Sequence, residues 1–346
     1  MYSETNPTSD SGIQPEPTGI TFSVIIPFKE WSPDLSECLT HLALLPKRNW
    51  EVFLLPDSAI ELPDEFSALP ISIIVTGPIS PPAKRDMGAR QAIGTYLAFL
   101  DDDAYPFPDW LSAAEDYLKA HPGVGAVGGP AITPSSDSFW NRVSGAVFLS
   151  SLSGGFPERY IPVGKPHLVD DWPTVNLIVN RTAFIAVDGF ANSYWPGEDT
   201  KLCRDLVGGG WTIHYAPSIK VFHHRRATLG KHLRQVGSYG YHRGLFAKRY
   251  PETSRKLIFF IPSAFALFVA IGLILSQFSE TIRLLYIAGL SVYGLALIKV
   301  WFDVRKHEGG VVALLSLPYV VITHLWYGTR FIVGLFARNY SPSLGR

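Results

Sequence analysis

The chain has 346 residues, of which 47% are hydrophobic and only 17% charged, so it is neither a disordered chain nor a small disulfide-stapled module. Its two cysteines, Cys38 and Cys203, are too few for a disulfide framework, and a reducing compartment is the simpler interpretation. The net charge is zero, but residues 1–224 contain 26 Asp and Glu against 14 Lys and Arg. The excess of basic residues therefore lies after the predicted folded domain, and nucleic acid is not an expected partner.

Residues 1–20 form a polar segment with Pro, Ser and Gly. They have neither the basic start nor the apolar core of a signal peptide. We expect a disordered tether here, because such a composition buries too little apolar surface to fold.

Residues 21–226 alternate between short apolar runs and helical stretches. The apolar runs cover residues 21–27, 51–55, 71–75 and 95–100, and the helical stretches cover residues 35–45 and 83–92. This alternation predicts an α/β domain with a mainly parallel sheet. Ligands of such sheets bind beyond the carboxyl ends of the strands, so the polar residues there are candidate site residues.

Three adjacent acids, Asp101, Asp102 and Asp103, follow the last of these apolar runs. Their mutual repulsion is costly unless a positive group offsets it. A hard divalent cation, Mg²⁺ or Mn²⁺, suits their oxygen ligands, and Mg²⁺ typically shares its ligands with substrate phosphates. A solvated acidic turn is the alternative that these residues leave open.

Five segments of this domain occur in the order and with the spacing of a known family: SVIIPFKE, LLPDS, AKRDMGAR, LAFLDDDAYPFPDWL and GEDTKLCRDLVGGGW. Each segment is weak alone, but together they make the region from about residue 22 to 226 resemble the family 2 glycosyltransferases. The resemblance implies a GT-A fold, which is Rossmann-like with a mainly parallel sheet, over residues 21–226. It also implies that a sugar is transferred from a nucleotide-diphosphate donor with inversion of the anomeric centre.

The resemblance assigns roles on the donor side. Contacts to the nucleotide and its phosphates are implied for Pro27, Phe28, Glu30, Asp57, Lys84, Arg85, Asp101 and Asp102. Asp101 and Asp103 match the two acids of the DxD motif, in which Asp103 holds the metal, and His223 is a candidate further metal ligand. For Lys84 and Arg85 a surface basic pair is the alternative.

The resemblance also assigns roles on the side of the transferred sugar and the acceptor. Asn176 falls where relatives line the donor-sugar pocket, and Trp195 offers a flat face of the kind on which sugars stack. Glu198 and Asp199 match the acidic pair of the family, in which the second acid, Asp199, is the base that takes the acceptor's proton. A position at a helix N-cap is the alternative for Asp199, and a core position is the alternative for Trp195.

The residues after this domain are first basic and then apolar. Residues 227–256 predict a basic amphipathic helix at the level of lipid headgroups. Within the region 257–337, runs at about 257–279, 284–302 and 311–333 are long enough to cross a bilayer. Buried helices of a soluble domain are the alternative, and Pro318 and Arg330 would also suit an interfacial helix in the third run.

Basic residues precede the first run and surround the connection between the second and the third. The positive-inside rule then predicts that residues 1–256 and 303–310 lie in the cytoplasm. With three spans, the C-terminus would lie outside.

These expectations combine into a multi-pass protein of the cell membrane with its catalytic domain in the cytoplasm. It would transfer a sugar from a nucleotide sugar to a lipid-linked or glycan acceptor in cell-surface polysaccharide synthesis, and membrane lipids would be its further partners. A polyprenyl-phosphate sugar synthase is the alternative within the class. A catalytically silent glycosyltransferase-like membrane scaffold is the alternative outside it.

Overall fold

The structure is a computed structural model that describes residues 21–46, 49–190 and 194–338. The predicted tether at residues 1–20 lies outside the described residues. The described ranges form an α/β domain that is followed by long helices.

The domain is built on two sheets. The strands are β1 (Phe22–Pro27), β2 (Trp50–Leu55), β3 (Ile71–Ile73), β4 (Tyr96–Leu100), β5 (Ala104–Pro106), β6 (Val124–Gly128), β7 (Ala131–Ile132), β8 (His167–Val169), β9 (Asn176–Asn180), β10 (Thr212–Tyr215) and β11 (Val221–His223). The larger sheet has the order β3-β2-β1-β4-β9-β6-β10-β8, and the smaller has the order β5-β11-β7. In the larger sheet β3, β2, β1 and β4 are parallel, as are β6 and β10, whereas β9 and β8 pair antiparallel with their neighbours. The predicted mainly parallel α/β fold is confirmed.

Helices cover both faces of the larger sheet and make up the C-terminal part. They are α1 (Pro33–Ala43), α2 (Pro81–Gln91), α3 (Trp110–Ala120), α4 (Phe139–Ala146), α5 (Arg181–Ala186), α6 (Glu198–Gly208), α7 (Leu229–Arg249), α8 (Pro251–Ser254), α9 (Leu257–Leu275), α10 (Glu280–Arg305) and α11 (Gly310–Phe336). α1 shows why such a helix starts where it does. The Ser32 hydroxyl accepts a hydrogen bond of 3.1 Å from the Leu35 amide, and Pro33 occupies the first turn, where a missing N–H costs nothing.

Alternate residues of a strand face opposite sides of the sheet, and the domain therefore has two core layers. Val24 of β1 packs into the layer of α1 and α3, whereas its neighbour Ile25 packs into the layer of α2 and α6. Cys38 lies in the first layer and Cys203 in the second, and both are buried free thiols. The sheet separates them, as expected of a chain without a disulfide framework.

The carboxyl ends of three parallel strands lie together at one edge of the larger sheet. β1 pairs with β2, so that Pro27 lies opposite Leu55, and it pairs with β4 on its other side. The order of the strands reverses at β1, and open α/β sheets bind their ligands at such a position. Phe28, Asp57 and Asp101, which follow the three strands, are thereby brought to this edge.

The smaller sheet brings the end of β11 close to Asp103. β11 pairs antiparallel with β5, and His223 lies opposite Ala104. Because Asp103 directly precedes β5, this pairing places its side chain beside His223.

The three C-terminal helices α9, α10 and α11 have 19, 26 and 27 residues and are apolar enough to cross a membrane. At a rise of 1.5 Å per residue even the shortest reaches ~29 Å, which is about the thickness of the hydrocarbon core. Each predicted run falls on one of these helices, and the length and composition of the helices support membrane association.

The basic segment at residues 227–256 contains the helices α7 and α8. α7 packs on α11 so closely that a Cβ on Gly240 would lie 2.5 Å from the Tyr327 carbonyl oxygen. A Cβ on Gly244 would lie 2.0 Å from that of Phe331, so glycine is needed at both contacts. One side of α7 is thereby covered by α11, while four of its basic residues are exposed, and the place of this segment at the lipid headgroups stays a prediction.

Candidate active site

Helix α2 delivers two basic residues to the edge where the strands end. Its Gly88 lies against the sheet, where a Cβ would come within 3.1 Å of Ile25 and 3.2 Å of Leu55. This close approach places Lys84 and Arg85, one turn earlier, directly behind the carboxyl ends of β1 and β2. Both side chains are buried, with 1% and 3% of the residue surface exposed.

Lys84 fastens the strand ends and holds Asp57. Its ammonium group donates to the carbonyl oxygens of Phe28 and Leu55, the latter at 3.0 Å, and forms an ion pair with Oδ1 of Asp57. An ammonium has three protons, and these three partners use them all. In this arrangement Lys84 positions Asp57, and the predicted contact of Lys84 with nucleotide or phosphate stays a prediction.

Arg85 joins the two acidic clusters of the sequence. Its Nη2 donates to Oδ1 of Asp101 at 2.6 Å, and its Nη1 donates to Oε1 of Glu198 at 3.2 Å. The Phe190 ring lies 5.8 Å from its guanidinium carbon. Both terminal nitrogens thus donate to acidic side chains, so Arg85 holds Asp101 and Glu198 together, and its contact with the diphosphate stays a prediction.

The three consecutive acids differ in environment. Burial opposes the charge of Asp103, but His223 and Arg226 outweigh it and hold the pKa of Asp103 below its usual range. Their nitrogens lie 3.1 Å and 3.0 Å from its carboxylate oxygens. Burial, together with Asp103 and Asp101, raises the pKa of Asp102 to about 8. The side chains of Asp103 and Asp101 are 20% and 31% exposed, so both carboxyl groups can be reached by a ligand at this edge.

His223 is oriented as a hydrogen-bond donor to Asp103. Its Nδ1 lies 2.7 Å from Nη1 of Arg225, and a guanidinium can only donate. Nδ1 then accepts, and Nε2 donates to Asp103 at 3.1 Å. In this arrangement His223 holds Asp103, and its predicted role as a metal ligand stays a prediction.

Two further predicted ligand contacts belong to the core. Asn176 is fully buried, its Oδ1 accepts from Nε1 of Trp110 at 2.9 Å, and its Nδ2 donates to the Ile219 carbonyl at 2.8 Å. Phe28 is 4% exposed and its ring packs in the layer of α1 and α3. Asn176 therefore ties β9 to α3, and Phe28 contributes its carbonyl to Lys84 instead of a ring to the nucleotide base.

The remaining donor-side candidates lie at the edge itself. Pro27 is the buried last residue of β1, and Glu30 is exposed beyond it. Asp57 retains partial exposure beside them. These three residues surround the strand ends, as the resemblance implies, and their contacts with a nucleotide stay a prediction.

The acidic pair opens helix α6. Gly197 precedes it in a left-handed conformation with φ +112° and occupies the N-cap, so Asp199 lies in the first turn and is not the cap. Burial and the neighbouring Asp199 raise the pKa of Glu198 to about 8. Burial and the nearby Asp171 raise the pKa of Asp199 as well. Trp195 is half-buried just upstream, and its contact with a sugar stays a prediction.

A buried ionic cluster, which the sequence did not reveal, lies behind this pair. Asp171 contacts Arg159 at 3.1 Å and also Arg243 of α7, and it accepts from the Thr200 hydroxyl at 3.0 Å. Arg243 is 72 residues from Asp171, so no local pattern indicates the pair. The contact of Arg226 with Asp103 was not predicted either. Its position three residues after the candidate ligand His223 was the one indication of it in the sequence.

Known proteins with similar sequences are glycosyltransferases or proteins of glycan biosynthesis. The family described as Glycosyl transferase family 2 matches residues 23–184. The pre-mycofactocin glycosyltransferase of Mycobacterium tuberculosis is 28% identical over 178 residues, which are 51% of this chain and 37% of the relative. The O-antigen biosynthesis protein RfbC of Myxococcus xanthus is 26% identical over 226 residues, 60% of this chain and 17% of that protein. The chain therefore spans well under half the length of these relatives.

A solved structure shares the fold. The mannosyltransferase PcManGT of Pyrobaculum calidifontis, in complex with GDP-Man and Mn²⁺, superposes with a TM-score of 0.52 at 17% identity. The superposition covers 92% of this chain and 88% of that one. The family match over residues 23–184, this likeness and the reversal of strand order at β1 agree on a GT-A-like fold for the α/β domain.

Proposed function

We propose that this chain is a membrane-associated inverting glycosyltransferase. It transfers a sugar from a nucleotide-diphosphate donor, with a divalent metal, to a lipid-linked or glycan acceptor in cell-surface polysaccharide synthesis. The observation that carries the proposal is the double contact of Arg85, which holds Asp101 and Glu198 in one site although they lie far apart in the chain. Acids for the donor and acids for the acceptor then face the same reaction centre.

The side chains at this site supply part of a ligand set for a divalent metal. Asp101 and Asp103 offer hard carboxylate oxygens of the kind that Mg²⁺ and Mn²⁺ prefer. Among the described residues no group of three His, Cys, Asp or Glu is placed to hold an ion. A metal held by Asp101 and Asp103, with the diphosphate and water as further ligands, would neutralise charge on the departing nucleotide diphosphate.

Asp199 is the better base of the acidic pair. Burial and Asp199 raise the pKa of Glu198 to about 8, so at neutral pH it is mostly the neutral acid, which is a very weak base. The pKa of Asp199 is raised as well, chiefly by burial, which makes its carboxylate a stronger base than a solvated one. We assign Asp199 the acceptor's proton and Glu198 a positioning role with Arg85.

The apolar helices support a site that works at a bilayer. We place the catalytic domain in the cytoplasm, at the cell membrane, where nucleotide sugars and a reducing environment are found together. A membrane-held site favours a lipid-linked acceptor, because both partners then diffuse in the same plane. A polyprenyl phosphate is one such acceptor. The assay described next compares it with a glycan-lipid extract and so distinguishes a phosphate acceptor from a sugar hydroxyl acceptor.

The test uses the full chain in detergent. Nucleotide release is measured for a panel of UDP-, GDP- and dTDP-sugars with Mn²⁺ or Mg²⁺, with and without polyprenyl phosphate or a glycan-lipid extract. We expect release with one nucleotide class, stimulation by one acceptor and loss in EDTA. A chain that binds no nucleotide sugar and releases no nucleotide under any condition would be a silent scaffold, and the proposal would be wrong.

A further inference from the structure

Helix α11 carries two different faces along its whole length. The face turned inward is buried and consists of Val312, Ala313, Ser316, Tyr319, Val320, Thr323, Gly328, Phe331 and Gly334. The face turned outward is apolar and exposed, and includes Val311, Leu314, Leu315, Ile322, Trp326, Val333 and Phe336. Both sets recur mostly every three or four residues, as the opposite faces of one helix do.

The second half of the inward face lies against α7. His232 Nε2 is 2.8 Å from the Thr323 hydroxyl, and the Lys248 ammonium donates to the Ala337 carbonyl at 3.3 Å. Between these contacts Gly244 touches Phe331. The contacts advance together along both helices, so α7 and α11 run parallel, side by side, for most of the length of α7.

The first half of the inward face lies against the domain itself. Val143 of α4 and Ile161 pack into one apolar cluster with Val312 and Val320. The carboxylate of Glu308, just before α11, accepts from Arg142 of α4 at 2.5 Å. Both ends of α11 are therefore tied to the catalytic domain and to α7, over a length of ~40 Å.

α7 cannot follow α11 into hydrocarbon. It exposes Lys231, Arg234, Lys248 and Arg249, and its Arg243 is held by Asp171 of the domain. Charged side chains at the bilayer centre are expensive, and this helix would bring several. A helix that lies on α4 and α7 from end to end therefore cannot have its ends on opposite sides of a bilayer.

α9 and α10 behave differently. Ser263, near the start of α9, donates to the Gly328 carbonyl of α11 at 3.0 Å. Farther along, Gly272 and Phe268 of α9 pack against Tyr286 of α10. This forms a hairpin whose outer surface is apolar and whose turn carries the exposed ion pair of Glu280 and Arg283. A charged turn at the end of two apolar helices is what emerges on the far side of a bilayer.

We propose that α9 and α10 cross the membrane as a hairpin, whereas α11 lies in the plane of the interface with its outward face on lipid. The lipid surface is chosen as the occupant because this face continues from the apolar hairpin. Trp326 lies on this face, and its ring nitrogen donates to the Leu233 carbonyl at 2.9 Å. Tryptophan is enriched at membrane interfaces. Ala337 then lies on the same side of the membrane as the catalytic domain, whereas three spans would place it on the opposite side.

The first experiment maps sidedness in the full chain. Single cysteines are introduced as Asp116→Cys in the domain, Gln277→Cys in the hairpin turn and Arg338→Cys after α11; the natural cysteines are buried. They are treated with an impermeant maleimide in sealed, right-side-out and inverted vesicles. We expect Arg338→Cys to be labelled together with Asp116→Cys, and Gln277→Cys only from the opposite side. Labelling of Arg338→Cys with Gln277→Cys, or of all three from one side, would overturn the proposal.

The second experiment measures depth along α11. Nitroxide labels at Leu314→Cys, Ile322→Cys and Val333→Cys report accessibility to oxygen and to a water-soluble nickel complex. A helix in the interface gives one shallow depth at all three positions, whereas a span gives its greatest depth at Ile322→Cys. The second pattern would overturn the proposal, and neither experiment depends on sugar transfer.

Discussion

Thr200, the residue after the proposed base Asp199, donates a hydrogen bond of 3.0 Å from its hydroxyl to Oδ1 of Asp171. The other oxygen of Asp171 contacts Arg159 and Arg243, and Arg243 belongs to α7, which packs on α11. The first turn of α6 is therefore linked, through one buried carboxylate, to α7 and thereby to α11. The position of Asp199 thus depends on the packing of α7 against the domain.

Loss of the Asp171 charge should destabilise the protein and slow transfer. Asp171→Asn leaves two buried guanidinium groups without their shared counter-charge, and breaking a buried pair in this way typically costs about 3–5 kcal/mol. We expect a lower thermal midpoint in detergent and a lower kcat at temperatures where the variant is folded. The matched control is Asp170→Asn, because Asp170 pairs with Lys256 at the exposed surface, where a pair is worth about 0–1 kcal/mol. Equal behaviour of the two variants would contradict the role of the cluster.

Asp199→Asn should separate chemistry from binding. The amide keeps the size of the side chain but cannot take a proton, and general-base assistance contributes about 10²–10⁴-fold. We expect the transfer rate to fall by that order while donor affinity, measured by calorimetry, stays near that of the parent chain. Asp116→Asn, at an exposed position of α3, is the control. Weaker donor binding at an unchanged rate would mean that Asp199 is structural.

The raised pKa of Glu198 predicts a pH-dependent stability. Burial and Asp199 raise this pKa to about 8, whereas an unfolded Glu titrates near ~4.3. Between these values the unfolded chain binds fewer protons than the folded one, so stability should fall as pH rises, by at most ~1.4 kcal/mol per unit.

Glu198→Gln mimics the protonated acid and should remove this dependence. The measurement is the thermal midpoint of both chains from pH 5 to pH 8. We expect the midpoint of the parent chain to fall relative to that of the variant across this window. Parallel curves would show that Glu198 titrates normally.

Variants of Asp103 and His223 should distinguish a metal ligand from its support. Asp103→Ala should abolish turnover and the Mn²⁺-dependent part of donor binding. His223→Gln can still donate to Asp103 and accept from Arg225, so it should retain far more activity than His223→Ala. If both His223 variants weaken Mn²⁺ binding equally, the ring is a ligand and the assigned tautomer is wrong.

The local pattern of the sequence was enough to predict several features. Short apolar runs bounded by Pro, Gly and Asp predicted the strands β1, β2 and β4, because burial on both faces demands such runs. The acids at 101–103 were recognised because they are adjacent at the end of an apolar run, and the pair Glu198–Asp199 was recognised through the resemblance to the family 2 glycosyltransferases. The apolar helices were predicted as well, since length and composition alone decide whether a helix can cross a membrane.

The tertiary structure alone decided what these residues contact. Lys84 and Asn176 read as ligand contacts, but their polar atoms are used by partners 27 to 66 residues away. The composition of the run at 311–333 predicts a span, and its packing on α4 and α7 is the observation on which we propose a place in the interface instead. Composition reports how apolar a segment is, whereas its place depends on which distant side chains satisfy its polar groups and cover its faces, and these meet only when the chain has folded.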